Sequence, residues 1–93
     1  MAIKTFKHKG LEKFFETGSK AKILPSHAKA LGRIIDQLDS AYQAQDMNYP
    51  GSYFEQLKGK LKAFYSVRVS GNWRVIFRFE GHDAYDVDYL DYH

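Results

Sequence analysis

The stretch FYSVRVSGNWRVIFRFEGHDAYDVDYLDYH, Phe64 to His93, decides the fold. Aromatic and β-branched residues alternate with polar ones through Phe64–Val69, Trp73–Phe79 and Ala84–Leu90, the period-2 pattern of half-buried strands. Ser70-Gly71-Asn72 and Gly81-His82-Asp83 separate the three runs and predict tight hairpins. Register follows from which residues must share a face, because a one-residue slip exchanges the two faces of a strand. Three-residue loops set Val69 opposite Trp73, Val67 opposite Val75 and Tyr65 opposite Phe77. In the second hairpin they set Phe79 opposite Tyr85, Phe77 opposite Val87 and Val75 opposite Tyr89. That builds one apolar face, whereas an even loop length pairs the aromatics with Asp or Arg.

Outward from this meander, the first half has helical periodicity. Leu11, Phe14 and Phe15 lie at helical spacing within Lys9–Thr17, and Gly18 stands where a helix C-terminal glycine belongs. Pro25 suits the first turn of a second helix, whose Leu31, Ile34, Ile35 and Leu38 recur at three and four. That stripe is core. Asp46, Asn48, Pro50 and Gly51 mark a loop across Asp39–Ser52, with a short strand expected around Tyr53–Leu57 and another at Ala2–Phe6. The pattern is α+β: an antiparallel β-sheet with two N-terminal helices packed on one face.

Ninety-three residues at 44% hydrophobic and 16% aromatic fit one domain spanning 1–93 and exclude a large multi-domain enzyme. The absence of cysteine removes disulfide frameworks and thiolate metal sites. With no apolar run near the roughly 20 residues of a membrane span and no signal-like segment, a mature cytoplasmic chain without membrane association is expected. The net charge of +3 is unevenly spread. Residues 1–35 carry eight basic and two acidic groups, residues 36–78 six and four, and residues 79–93 five acidic groups with no Lys or Arg. A basic body suits an anionic partner such as nucleic acid, although lysine-rich solvated helices also arise for solubility alone.

The sheet face opposite the core carries the candidate chemistry. Arg68 falls across from Arg74, Arg78 across from Asp86, and Arg74 across from Leu90, beside the terminal Asp91-Tyr92-His93. Like charges opposed across strands are destabilising unless compensated. With only Asp91 near Arg68 and Arg74 in this pairing, a bound phosphate is the sharper reading of that face; Arg78 with Asp86 reads as a surface ion pair. A carboxylate, a phenol, an imidazole and a guanidinium within a few residues suit metal-free phosphodiester cleavage through an RNA 2′-hydroxyl. That reaction needs one proton removed, one delivered and phosphate charge stabilised. Reading Asp86, Asp88, Asp91 and His93 as metal ligands lacks a familiar spacing and has arginine neighbours, so no metal or other cofactor is expected. Lys58, Lys60 and Lys62 around a turn read either as a solvated hairpin or as a patch that follows phosphates. Trp73 and Tyr65 face the core, leaving Phe64 on the arginine face as the candidate stacking surface. His8, His27 and His82 read as structural or exposed. Glycine-rich phosphate loops, GxSxG and HExxH are all absent.

The opening Ile3-Lys4-Thr5-Phe6-Lys7-His8-Lys9-Gly10-Leu11, the central Leu57-Lys58-Gly59, Asn72-Trp73-Arg74, Asp83-Ala84-Tyr85 and the closing Asp91-Tyr92-His93 together resemble a HigB-type toxin of the RelE/ParE toxin–antitoxin superfamily. The resemblance covers essentially the whole chain. It implies a RelE-like, microbial-ribonuclease-like fold and a ribosome-dependent mRNA interferase, an endoribonuclease that cleaves mRNA in the ribosomal A site. The products would be a 2′,3′-cyclic phosphate and a 5′-hydroxyl. Carried over by position, Lys58 and Arg74 would hold and neutralise the scissile phosphate, and Asp91, Tyr92 and His93 would transfer protons and position the RNA. Which of those three is the base stays open. Arg68, Lys60 and Lys62 complete the expected RNA-binding set.

Two departures bear on these roles. Relatives commonly show Leu-His-Pro-Leu-Lys-Gly where this chain has Phe54-Glu55-Gln56-Leu57-Lys58-Gly59, so Glu55 replaces a histidine. Some carry arginine where Ser70 stands, and Arg68 is the candidate substitute. The resemblance implies a HigA-type helix-turn-helix antitoxin as partner, operator DNA bound only through it, and ribosomal RNA and mRNA as targets. The alternative is a ParE-like toxin that binds gyrase without nuclease activity.

Overall fold

The computed structural model describes residues 2–92. Two helices precede a four-stranded antiparallel sheet in the order β1-β2-β3-β4, with β1 at Glu55–Gln56, β2 at Tyr65–Ser70, β3 at Trp73–Glu80 and β4 at Asp83–Asp91. Helix α1 spans Lys9–Thr17. His8 caps its N-terminus, its Nδ1 accepting from the Leu11 N–H at 2.9 Å. Gly18 closes it at φ +79, a left-handed conformation that costs glycine little. Helix α2, Ala28–Ser40, follows a 3-10 turn over Pro25–His27. It runs past the expected end before Asp39, and the Ser40 hydroxyl donates to the Asp36 and Gln37 carbonyls in its last turn.

The core lies between the helices and one sheet face. Leu11, Leu31, Ile35 and Leu38 from the helices and Val67, Val75, Phe77 and Val87 from the sheet are fully buried. Trp73 and Tyr65 pack against this cluster as expected. His27 is buried too. Its Nδ1 lies 2.6 Å from the Tyr89 hydroxyl, and its ring stands edge-on to Trp73. The two halves of the chain thus meet through a satisfied polar pair inside the core.

Both hairpins correct the expected register near their turns. The loops hold two residues, Gly71-Asn72 and Gly81-His82, because Ser70 pairs with Trp73 and Glu80 with Asp83. Gly71 at φ +56 and Gly81 at φ +62 take the first turn position, where a two-residue hairpin favours glycine. Phe79 therefore pairs with Ala84 and Arg78 with Tyr85, in place of Tyr85 and Asp86. One bulge in each ladder then restores the core pairs: Tyr65 with Phe77, Val67 with Val75, and Val75 with Tyr89. An extra residue on one strand moves everything beyond it by one position, so a two-residue turn plus a bulge gives the same far register as a three-residue loop. In the second ladder Asp86 adopts φ +54, and its N–H donates to Thr5 Oγ1 at 2.8 Å.

The N-terminal segment is not a strand of the antiparallel ladder. Ile3 and Phe6 form isolated parallel bridges to Ala84 and Val87, and the Lys4 and Lys7 N–H groups donate to the carbonyls of those same two residues at 2.8 Å. The segment thereby satisfies part of the outer edge of β4. Beyond it, Gly10 sits in the first turn of α1, where an added Cβ would overlap the Cβ of Lys22. Gly10→Ala should therefore lower stability by about 1–3 kcal/mol through overpacking, although alanine is the better helix former. Urea denaturation of the two proteins checks the sign.

Candidate active site

Strand alternation separates the core-facing residues of β2 and β3 from Arg68, Arg74, Ser66 and Ile76 on the other face. Arg68 and Arg74 are direct cross-strand partners and Arg74 is the partner of Leu90, both as expected. Asp91 ends β4 opposite Trp73, and the Tyr92 N–H donates to the Asn72 carbonyl at 2.8 Å. This bond ties the C-terminal segment to the β2–β3 turn. Tyr92 is exposed. His93 lies outside the described residues.

Arg78 is the arginine already neutralised. It pairs with Glu80 and, at 2.8 Å, with Asp86 Oδ2, while its guanidinium stands 5.0 Å from the Tyr85 ring centroid. The hydrogen bonds to Glu80 and then Asp86 hold its pKa above the usual arginine value. The expected ion pair with Asp86 thus forms even though the two residues are not ladder partners. Arg68 has no ion pair among the described residues. Arg74 Nη1 donates to the Tyr53 carbonyl at 3.4 Å, and its Nε is shielded from solvent with no hydrogen-bond partner among the described residues. A buried, unsatisfied donor on a charged group is costly, so stability does not explain this side chain.

The lysines lie on the segment between β1 and β2. Lys58 precedes a 3-10 turn over Gly59–Leu61, and Lys58, Lys60 and Lys62 are all exposed. The Leu57 N–H donates to the Phe64 carbonyl, while the Arg68 N–H donates to the Ser52 carbonyl. Tyr53 is therefore nearly level with the arginine row, and Lys58 follows Leu57 further along the segment between β1 and β2. Phe64 is half-buried before β2 begins. The exposed aromatic beside the arginines is instead Tyr53, 62% exposed, with Arg68 5.0 Å over its ring centroid.

Sequence reasoning passes over Tyr53. Its only local signal is a tyrosine directly after the Pro50-Gly51-Ser52 turn. On the helix side of Arg68, a cleft of about 690 Å³ opens between α2 and the 49–51 turn, lined in part by Arg33, Tyr49 and Arg68.

Two phenols outside the arginine row titrate abnormally. Burial raises the pKa of Tyr89, partly offset by a backbone hydrogen bond from Leu24, and burial raises that of Tyr49, partly offset by Arg33. The native state thus holds these protons more tightly than the unfolded chain, whose tyrosines titrate near 10.0. Stability contributed by the two groups is fully present below pH 10.0 and falls as pH rises through their higher native values. Thermal melts between pH 9 and 11 should show the decline, and Tyr89→Phe should reduce its slope.

Comparison with known proteins places this arrangement. A solved YoeB–YefM complex from Staphylococcus aureus contains a chain with the same fold, with TM-score 0.64 at 18% identity over 98% of this chain and 94% of that one. A YoeB dimer from the same organism gives 0.60 at 16% identity, covering 100% and 97%. In sequence, the chain is 34% identical over 91 residues to the endoribonuclease HigB of Proteus vulgaris, covering 98% of this chain and 99% of the relative. It is 39% identical over 90 residues to the toxin HigB-1 of Vibrio cholerae, covering 95% and 94%. The family model described as the RelE-like toxin of the type II toxin–antitoxin system HigB matches residues 4–93, so the chain belongs to the HigB family of RelE-like toxins.

Proposed function

We propose that this toxin is an mRNA interferase, an endoribonuclease that cleaves messages in the ribosomal A site and so arrests translation. The observation that carries the reading is the Arg68–Arg74 pair, with Arg74 Nε buried and unpartnered among the described residues, at the end of the sheet where Asp91 and Tyr92 emerge. Two adjacent guanidinium groups fit the double charge that builds on a phosphate under attack. The RNA 2′-oxygen attacks the adjacent phosphorus, losing its proton to a base, and the 5′-oxygen leaves with a proton from an acid. The products are a 2′,3′-cyclic phosphate and a 5′-hydroxyl.

Asp91, Tyr92 and His93 supply the proton carriers, with the role of His93 resting on sequence alone. Lys58 acts with Arg74 on the scissile phosphate, and Lys60 and Lys62 bind more distant phosphates, in keeping with the exposure of all three. The relative from Proteus vulgaris, named an endoribonuclease, supports the same chemistry. The chain's antitoxin partner is of the HigA helix-turn-helix type, and operator DNA is reached through it. Induced expression followed by mapping of RNA ends tests the function. Cleaved messages with cyclic phosphate ends are expected, whereas intact messages accompanied by DNA damage would favour a gyrase-directed toxin and overturn the reading.

A further inference from the structure

We infer that Tyr53 is a nucleobase-stacking residue, holding the base of a nucleotide next to the scissile phosphate against its ring while Arg74 holds the phosphate. The inference rests on the ribonuclease reading of this face. Tyr53 adopts φ +49, a left-handed backbone that a bulky residue rarely takes and that is unfavourable for anything but glycine. The residues around it impose that conformation. Ser52 is buried, with its N–H donating to the Tyr49 carbonyl at 3.0 Å, its carbonyl accepting from Arg68 at 2.8 Å and its hydroxyl accepting from the Phe54 N–H at 3.3 Å. The Tyr53 carbonyl itself accepts from Arg74.

A strained backbone, fixed on both sides, thus presents a ring that is 62% exposed. Core packing does not explain it, because a largely exposed ring gains little from burial. What the ring does contact is the Arg68 guanidinium, so a cation and an aromatic surface meet beside a second guanidinium. This combination matches a nucleotide: the anionic phosphate goes to the arginines and the flat base to the ring. A protein partner would find the aromatic surface equally, but would leave the adjacent pair of arginines unexplained, whereas RNA accounts for the ring and the arginines together. The strain then has a use, since it holds the platform in place before the substrate arrives.

The test uses ribosomes programmed with a message that the wild-type toxin cleaves, and the same message with an abasic residue on either side of the cut. On the intact message Tyr53→Ala should slow cleavage about 10-fold or more at subsaturating toxin, and Tyr53→Trp should stay within about 3-fold of wild type. Against the matching abasic message, Tyr53→Ala and the wild type should cut at the same rate. Tyr53→Gly, free of backbone strain, should melt no lower than wild type yet cleave as poorly as the alanine variant. Wild-type rates for Tyr53→Ala on the intact message, or an equal loss on all messages, would overturn the inference. So would unchanged cleavage with lost antitoxin binding, which would make Tyr53 a protein-docking residue. If the wild type itself leaves every message intact, the ribonuclease reading fails and the inference with it.

Discussion

Arg74→Ala should reduce mRNA cleavage by about 10²–10³-fold, the usual consequence of removing a fixed donor aimed at developing negative charge. The same variant should melt at the wild-type temperature or above it. Arg74 stands directly opposite Arg68 and carries a shielded Nε without a partner among the described residues, so the folded toxin in the absence of RNA loses a repulsion and an unsatisfied donor when the side chain is shortened. The hydrogen bond from its Nη1 to the Tyr53 carbonyl, at 3.4 Å, is long and exposed. Opposite movement of activity and stability is the signature of a group kept for function. Full cleavage by purified Arg74→Ala, or a melting temperature several degrees lower, would remove Arg74 from the proposed phosphate site.

Phe77→Ala should have the largest effect on the fold. Phe77 is fully buried in β3 and packs against the rings of Tyr65 and Phe79, with centroids 6.1 and 6.0 Å away. Truncating a buried phenylalanine costs about 3–5 kcal/mol, from lost transfer energy plus the cavity left behind. For a domain of this size that corresponds to a fall of roughly 12–40 °C in melting temperature. The loss is a large share of the whole stability of a typical domain, about 5–15 kcal/mol. Circular dichroism melts measure it directly. A drop of only a degree or two would mean that the sheet is not held by this face. The effect also separates from that of Arg74, because Phe77 and Arg74 lie on opposite faces of the same strand.

These two residues illustrate how much is legible in the chain's local pattern. Phe77 and Arg74 are three positions apart, so alternation alone sends one to the core and the other to the opposite face. The apolar stripe of α2 and the Gly18 stop of α1 follow from similarly local rules, and the folded chain agrees with them. The pairing of Arg68 with Arg74 also follows from the pattern, though through loops that are in fact one residue shorter than expected. It holds because a bulge restores what a shorter turn displaces. His27 shows the opposite limit: its partner Tyr89 lies 62 residues away, beyond the reach of local pattern.

The sequence by itself determined the two helices, the three long strands, the core face of β2 and β3 and the meeting of two arginines beside the chain's acidic end, because period and alternation act over a few residues. The tertiary structure decided the bulges, the parallel seating of the N-terminal segment on β4 and the conformation of Tyr53. Each depends on a partner distant in sequence: the Asp86 N–H on Thr5, the Ala84 and Val87 carbonyls on Lys4 and Lys7, and the Ser52 carbonyl, next to Tyr53, on the Arg68 N–H. A left-handed tyrosine has no local cause. It exists only where surrounding hydrogen bonds outweigh its own steric preference.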